Sequence, residues 1–452
     1  MMIQVPLNKL EEFRTEDLLL ELKLRAITPI LIGGYDTETY HKELDLREPL
    51  RTSSIKGVMR WWARALIGGA IYREYGVFPT IEIADEYVSC LLGSTRSSSK
   101  VAIETHINHK QARLIEFKGE WRKERDRRGR EKEKLVRITA WVDQESIGTT
   151  DFSRCARLKL LFINPRDPLS GYAPGTEFSL RVYKNAVSDM SDVEKQLAVF
   201  SLILGIFFDG IGKIISRGFG KMEIAEVKCG DEIKELEERL RGIFNDVKSS
   251  ERADDAIKQL LKGAQEKADE YIEEKQLSPA SKLSQKPEIE VLDKSYFDYE
   301  LINKFYNDWQ QAVISISRAF LKASWKQYLS MSLKSPGEQL HTWILGLPRS
   351  QRRTGYFLLK KNKEEAGRRR SPIRITLVES GEKLRPLLFG FKTYEWEDII
   401  HGRRDRPQLY HFSKLGRKVI RRPVLKLLSK KTIDDVFDDA FNLVRSLLGV
   451  GI

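Results

Sequence analysis

The chain has 452 residues, too many for a single hydrophobic core, and at about 150 residues per domain this length predicts two or three domains. Its formal net charge of +13 favours a polyanionic partner. No stretch approaches the roughly 20 apolar residues of a membrane span and the N-terminus lacks a signal-peptide pattern, so we expect a soluble cytoplasmic protein. The cysteines, Cys90, Cys155 and Cys229, lack the paired spacing of a zinc site and predict small buried thiols.

The first third of the chain predicts one strand and one helix. Alternating apolar residues over 18–27 predict a half-buried strand, which Thr28-Pro29 terminates. The hydroxyl-bearing residues 52–54 offer N-caps to a helix that reaches about residue 68. Apolar residues recur along this helix at helical spacing and predict its buried side.

Residues 72–185 predict short strands and polar connections. The strand candidates are 101–105, 135–142, 158–163 and 177–183, and the charge-dense residues 118–134 predict a hairpin tip or a mobile loop. Ser191 and Glu194 form a capping box at the start of an apolar helix, which a glycine-rich loop and a strand at 222–227 follow. This order predicts a ferredoxin-like β-α-β-β-α-β domain over residues 1–228, with one sheet face free as a platform for single-stranded RNA.

The remainder predicts a helical region followed by a second domain. Residues 229–340 predict a charged helical insertion or linker, in which residues 296–329 follow the pattern of one long amphipathic helix. Residues 341–452 predict a basic α+β domain, with strands at 356–359, 373–378 and 385–391 and a closing helix over 433–448. The expected fold class is therefore α+β.

Positive charge is concentrated in this C-terminal third. Residues 349–422 hold 21 Lys/Arg and eight Asp/Glu, whereas residues 231–275 hold nine Lys/Arg and 14 Asp/Glu. Such a distribution favours an RNA-facing surface together with a solvated helical region. A basic patch that serves solubility or meets an acidic protein is the alternative.

The most informative stretch is residues 209–221, which places four glycines, three cations and an aromatic residue between a helix and a strand. Glycine permits tight turns and close backbone approach, and Lys213, Arg217 and Lys221 supply charge, so the loop favours contact with a phosphate backbone. Neither a Walker A motif nor a dinucleotide fingerprint fits its glycine spacing, so we expect no ATP, NAD or other small-molecule cofactor. An ordinary glycine-rich connection is the alternative.

A second group of cations lies on the first predicted helix. Lys56, Arg60 and Arg64 are four residues apart and form a cationic ridge, with Trp61 beside it and Arg51 just before the helix. Cations next to an indole suit phosphate contacts combined with base stacking. The alternative is a solvated helical face whose tryptophans belong to the core.

Residues 52–64, Thr-Ser-Ser-Ile-Lys-Gly-Val-Met-Arg-Trp-Trp-Ala-Arg, together with the glycine-rich loop, resemble the RAMP superfamily of CRISPR proteins. More narrowly, this helix, Leu345-Gly-Leu-Pro348 and Arg368-Arg-Arg-Ser-Pro-Ile-Arg374 resemble the first subunits of Cmr complexes, the type III-B effectors. The resemblance covers most of residues 17–228 and the C-terminal third. It implies two ferredoxin-like (RRM-like) RAMP domains with insertions and a helical middle region.

The resemblance also implies a non-catalytic RNA-binding subunit near one end of an antiviral guide-RNA complex. Its partners would be guide RNA, target RNA and other Cmr subunits. The residues that would contact RNA belong to the ridge, to the loop and to a basic turn of the second domain: Arg51, Lys56, Arg60, Trp61, Arg64, Lys213, Arg217, Gly218, Phe219, Gly220, Lys221, Arg369 and Arg370.

An enzyme is the alternative to this binding role. Some RAMP relatives process guide-RNA precursors with a histidine, and His41, in the loop before the first helix, is the candidate general acid or base of a metal-independent endoribonuclease. His106 and His109 lack the partner pattern of a metal site, so we expect no bound metal.

Overall fold

The computed structural model describes residues 18–31, 50–107, 111–125, 129, 131–162, 169–185, 189–276, 283–323, 345, 349–351, 354–358, 371–393, 399–403, 410–411 and 433–449. No helix among these residues combines the length and the apolar character needed to cross a membrane. Helices and antiparallel sheets occur together along the chain, so the predicted α+β class is confirmed.

The strands of this described part are β1 (Leu18–Ala26), β2 (Phe78–Pro79), β3 (Val101–Ile107), β4 (Leu114–Arg125), β5 (Glu131–Val142), β6 (Glu145–Ser146), β7 (Leu169–Tyr172), β8 (Glu177–Lys184), β9 (Met222–Cys229), β10 (Leu283–Ser284), β11 (Phe297–Leu301), β12 (Arg349–Gln351), β13 (Thr354–Leu358), β14 (Ile373–Ser380), β15 (Lys383–Phe391), β16 (Ile399–Arg403) and β17 (Tyr410–His411). The α-helices are α1 (Thr52–Tyr75), α2 (Ile81–Leu92), α3 (Ala156–Lys159), α4 (Asp192–Leu204), α5 (Lys234–Val247), α6 (Ala253–Lys275), α7 (Trp309–Lys322) and α8 (Ile433–Gly449).

The first sheet has the strand order β3-β8-β1-β9, and every neighbouring pair is antiparallel. Alternation along β1 buries Leu20, Leu22 and Leu24 on one face, where they share a core with residues of α1 and α4. The predicted capping box is present, since Ser191 accepts from the Glu194 backbone and Glu194 accepts from the Ser191 backbone. Helix α4 continues through one π-helical turn, Gly205–Asp209, into the glycine-rich loop.

Helix α1 is longer than the sequence predicts. It passes through Gly68 and Gly69 and ends at Tyr75, and the next residue, Gly76, adopts a left-handed conformation. A Cβ on Gly69 would lie only 2.4 Å from the carbonyl oxygen of Leu292. The glycines that suggested a helix end therefore let another backbone segment approach the helix closely.

A second sheet, with the order β6-β5-β4-β7, is inserted between β3 and β8. Of the two alternatives for residues 118–134, a hairpin tip or a mobile loop, the structure supports the hairpin, because β4 and β5 pair antiparallel from Ile115 and Val142 out to Arg125 and Glu131. The predicted strand at 158–163 is wrong, because residues 156–159 form the short helix α3. Cys155 and Leu158, three residues apart, are both buried on the side that faces α7.

A third sheet, with the order β11-β15-β14, belongs to the second half of the chain. The single long helix predicted over residues 296–329 is wrong, because residues 297–301 form β11, which pairs with β15. Helix α7 begins after Asp308, whose carboxylate caps it by accepting from the Gln311 backbone at 2.8 Å. The strands β12, β13, β16 and β17 form a further antiparallel sheet.

The third sheet is covered on both faces. Leu388 and Ile375 pack with α7 and α8, whereas Phe389 and Phe391 pack with Trp62 of α1. The two halves of the chain therefore share one hydrophobic interface. Of the cysteines predicted to be buried, Cys155 and Cys229 are buried, which raises the pKa of each thiol to about 12, but Cys90 is exposed.

Candidate nucleic-acid interface

The N-terminal turn of α1 provides an open positive end. Its N-cap residue, Arg51, makes no side-chain capping bond, and the first turn carries no acidic residue. Thr52, Ser53 and Ser54 are exposed. Helix N-termini favour anions because unpaired N–H groups and the helix dipole both point outward there.

Lys56 lies one turn into this helix and is half-buried. Burial, and then the charge of Arg60, lower the pKa of its ammonium group. Within the described part of the chain, no carboxylate pairs with Lys56. Its environment therefore penalises the positive charge, and a bound anion would relieve this penalty.

The other two ridge cations are tied to α2. Arg60 donates to the carbonyl oxygens of Leu92, at 3.2 Å, and of Gly93, at the C-terminal end of α2. Arg64 Nε donates to Asp85 Oδ1 at 2.6 Å. Burial lowers the pKa of Arg60, and the charge of Arg64 adds to this effect. These two arginines thus hold α2 against α1, and Arg60 also contributes positive potential at Lys56.

Both tryptophans of α1 contact other protein groups, as in the alternative interpretation of the sequence, but Trp61 is only half-buried. Trp62 is fully buried and stacks on Phe208 with ring centroids 5.0 Å apart. The guanidinium of Arg374 lies 3.9 Å from the ring centroid of Trp61, and Phe391 contacts Trp61 edge-on. A base therefore cannot stack on the ring face that Arg374 occupies.

The glycine-rich loop is a junction between parts of the protein rather than an open cradle. Arg217 lies 4.0 Å from the ring centroid of Phe320 on α7 and donates to the Leu345 carbonyl oxygen at 3.0 Å. Lys221 Nζ donates to the carbonyl oxygens of Phe208 and Asp209, at 3.3 and 2.6 Å. Both cations are nearly fully buried, so their charges serve the fold in this conformation.

Phe219 and the two glycines that flank it are also enclosed. Phe219 is 1% exposed and contacts Phe117 of the inserted sheet. Gly218 has φ +86°, and a Cβ there would lie 2.9 Å from Ile316 Cδ1 of α7. Gly220 is buried as well, whereas Lys213 is half-buried, and its backbone N–H donates to the Leu31 carbonyl oxygen. The loop glycines thus permit close protein packing.

Asp209, the first residue of the loop, connects the two halves of the chain. Its Oδ2 accepts from Trp62 Nε1 at 3.0 Å and from Arg374 NH1 at 3.1 Å. Sequence reasoning did not single out this pair, because an aspartate before a glycine and an arginine in a basic run both resemble surface residues. Only the burial of both side chains identifies their role.

The open face of the first sheet carries ion pairs between neighbouring strands. Lys23 pairs with Glu226 at 2.7 Å, and Arg181 with Glu21 at 2.8 Å. An RNA backbone on this face would meet a carboxylate beside each of these cations. The face therefore lacks the excess of positive charge that the RNA platform predicted from the sequence would need.

The structure does not describe His41, Arg369 and Arg370, which the sequence analysis singled out. His109 lies outside the described residues as well, and His106 is exposed, 3.3 Å from Glu104. In the described ranges, no group of three or more His, Cys, Asp or Glu side chains is arranged to hold a metal ion.

Part of the chain is similar to known proteins that share one family. Residues 23–223 match the model of the RAMP superfamily. The chain is 27% identical over 203 residues to the CRISPR system Cmr subunit Cmr1-2 of Pyrococcus furiosus, an alignment that covers 44% of this chain and 92% of that protein. It is 24% identical over 289 residues to the CRISPR system CMR subunit Cmr1 of Saccharolobus solfataricus, covering 53% of this chain and 61% of that protein.

A solved structure supports the same fold. The similar chain comes from the type III-B Cmr-beta complex bound to cognate target RNA and AMPPnP, in the presence of ssDNA. The TM-score is 0.53 at 16% identity, and the match covers 96% of this chain and 99% of that chain. At this identity the likeness concerns the fold.

Proposed function

We propose that this chain, which matches the RAMP superfamily model over residues 23–223 and resembles the Cmr1 subunits, is a non-catalytic RNA-binding subunit of a cytoplasmic type III-B Cmr complex. Its partners are guide RNA, target RNA and the other Cmr subunits. The RNA surface that we propose is centred on the N-terminal turn of α1.

One observation carries this proposal: Lys56 is a half-buried cation without a described carboxylate partner, one turn from an uncapped helix N-terminus. A phosphate placed there would gain the helix dipole and the charges of Lys56 and Arg51 together. Arg60 adds to the potential from a fixed position on the same side of α1, whereas Arg64 is paired with Asp85 and serves to position α2. We include Lys213, Arg369 and Arg370 as further phosphate contacts.

We propose a supporting role for the remaining loop and ridge residues. Trp61, Arg217, Phe219 and Lys221 are engaged with protein groups, and Gly218 and Gly220 permit this packing. Their contribution to RNA binding is then to hold α1 and the second half of the chain in a fixed relation.

The topology supports two ferredoxin-like units. The first contains β1-α1-β3-β8-α4-β9 in the sheet order β3-β8-β1-β9. The second contains β11-α7-β14-β15-α8, and its sheet order β11-β15-β14 repeats the relation among β1, β8 and β3. We propose that the second unit begins with β11, within residues 229–340, and continues into residues 341–452.

The experiment that tests the RNA surface compares two charge reversals in the purified protein. Lys56→Glu is expected to weaken binding of single-stranded RNA about tenfold at moderate salt, because it places a carboxylate at the proposed phosphate site. Lys56→Ala should reduce the slope of log K against log salt by about 0.7 if one phosphate contact is lost. Lys262→Glu, an exposed reversal on α6, is the matched control. Equal affinities of the Lys56→Glu and Lys262→Glu variants would overturn the proposal.

A further inference from the structure

A groove of about 760 Å³ lies between the β4–β5 hairpin, α3 and the C-terminal end of α7, and none of its described lining residues belongs to the proposed RNA surface. We call it the hairpin groove. Trp121 and Leu135 contribute from the hairpin, Leu160 and Phe162 from the segment after α3, and Leu321 from α7. It therefore joins the inserted sheet to a helix of the second half of the chain.

Two aliphatic side chains in this groove face solvent. Leu160 is 67% exposed and Leu321 is 49% exposed. Among the described residues, these are two of the four large hydrophobic side chains that are exposed to this degree, and they line the same groove. Exposed apolar groups that cluster in a concave surface are typical of protein-docking sites.

The chemistry of the groove favours a protein over RNA. Bases bind to proteins by stacking on open aromatic faces. Here the exposed apolar groups are the methyl groups of Leu160 and Leu321, whereas Trp121 is half-buried and Phe162 is buried. The Trp121 indole nitrogen is covered by the protein and thus unable to donate to a base. An aliphatic or aromatic side chain of a partner is the group that such a surface accepts.

The rim of the groove adds charge to this apolar floor. Four lining cations (Arg125, Lys134, Arg154 and Lys159) accompany two lining carboxylates (Glu124 and Glu133). Lys134 is paired with Glu124 at 2.9 Å, so the rest of the rim has an excess of positive charge. Charge complementarity then selects a segment whose apolar anchors are flanked by Asp or Glu.

We propose that the hairpin groove docks an acidic amphipathic segment of another protein subunit of the complex. This inference rests on the proposed function, because it takes the partner from the same assembly. Leu160 and Leu321 contact the apolar anchors of the segment, and Arg154 and Lys159 contact its carboxylates. The groove thereby fixes the chain in the complex independently of RNA contacts at α1.

The test is assembly of the full-length chain with the other Cmr subunits and guide RNA, followed by native mass spectrometry to measure its occupancy. A Leu160→Gln/Leu321→Gln variant removes the apolar anchors without adding charge and is expected to weaken incorporation by at least about tenfold. Arg154→Glu should weaken incorporation in a salt-dependent way. Ile81→Gln alters an exposed aliphatic residue on α2, outside the groove, and is the matched control.

Each other outcome has a definite meaning. If the double variant incorporates into the complex like Ile81→Gln, the inference is overturned. It is also overturned if the isolated double variant has a melting temperature well below that of Ile81→Gln, because the two leucines would then stabilise the chain's own fold. If the double variant incorporates normally but binds RNA more weakly, the groove is an RNA site, and the inference is overturned. If the wild-type chain fails to incorporate, the proposed function falls and this inference with it. Normal incorporation of Lys56→Glu separates the two proposals.

Discussion

Asp209 and Arg374 form an ion pair at 3.1 Å, with both side chains only 1% exposed. They are 165 residues apart, so the pair links the start of the glycine-rich loop to β14 in the second half of the chain. Trp62 donates to the same carboxylate, and the Arg374 guanidinium stacks on Trp61. One buried charge pair thus fixes Trp61 and Trp62, two adjacent residues of α1.

Removal of one partner from this pair should be costly. Arg374→Met leaves the Asp209 carboxylate buried without its guanidinium, and the free energy of unfolding should fall by about 3–5 kcal/mol. The double variant Asp209→Leu/Arg374→Met removes both charges of the pair and should lose less stability than Arg374→Met alone. Urea unfolding measures the loss of stability in both variants. A loss below about 1 kcal/mol for Arg374→Met would show that the carboxylate is satisfied in another way.

Gly218 should tolerate no side chain. Gly218→Ala forces a residue with a Cβ into φ +86° and places that atom 2.9 Å from Ile316 Cδ1, so we expect a loss of about 1–3 kcal/mol. Gly242→Ala, in the middle of α5 with open space around it, should instead gain about 0.5–1 kcal/mol. Thermal unfolding of the two variants provides the comparison. A neutral Gly218→Ala would mean that the loop does not pack on α7 as described.

A carboxyl pair between the halves of the chain should give a pH dependence. Arg25 contacts Glu223 and Glu379, each at 2.5 Å, and Lys248 contacts Glu223. Burial, and then the charge of Glu223, raise the pKa of Glu379, whereas hydrogen bonds from Lys248 and Arg25 lower the pKa of Glu223 against its burial.

Glu379 and Glu223 contribute to the pH dependence of stability with opposite signs, because one pKa is raised and the other is lowered. A raised carboxyl pKa means that the folded state holds the Glu379 proton more tightly, so this contribution is present below the ordinary value of 4.5 and is lost as pH rises through the folded pKa. Glu379→Gln should therefore gain stability relative to wild type as pH increases from about 4 to about 8. Glu382→Gln, in the same β14–β15 turn, is the control, and urea unfolding over this pH range is the measurement. A stability difference independent of pH would contradict the raised pKa.

The purified protein should leave RNA intact. The enzyme alternative requires metal-independent cleavage of repeat-containing RNA by His41, whereas the proposed binding role requires none. Incubation of wild type and His41→Ala with labelled repeat RNA in the presence of a chelator distinguishes these two roles. Cleavage by wild type that disappears in His41→Ala would favour the endoribonuclease.

Local patterns were sufficient for the elements with strong periodicity. The alternation of β1 and the capping box at Ser191 are correct because neighbouring residues alone specify them. The charged residues 118–134 left a hairpin and a mobile loop as alternatives, and pairing of β4 with β5 decided between them. The pattern misled at residues 296–329, where Leu301 and Trp309 also fit helical spacing. Pairing of β11 with β15, about 90 residues away, decided that segment.

The sequence also identified the cations of the candidate site but not their surroundings. Lys56, Arg60 and Arg64 lie on one side of α1 as helical spacing requires. That Arg60 and Arg64 bind α2, and that Arg217 and Lys221 are buried, depends on contacts with distant segments. A cation has the same sequence signature whether it faces phosphate, carbonyl oxygen or an aromatic ring.

The sequence by itself determined the α+β class, the cationic ridge, the glycine-rich loop and the family resemblance, because composition, spacing and motifs are properties of neighbouring residues. Only the tertiary structure decided what the loop contacts. Its four glycines permit close approach of any backbone or side chain, and here the neighbours are Ile316 of α7 and other protein groups. Burial of Asp209 and Arg374 likewise depends on packing between halves of the chain, which no local pattern encodes.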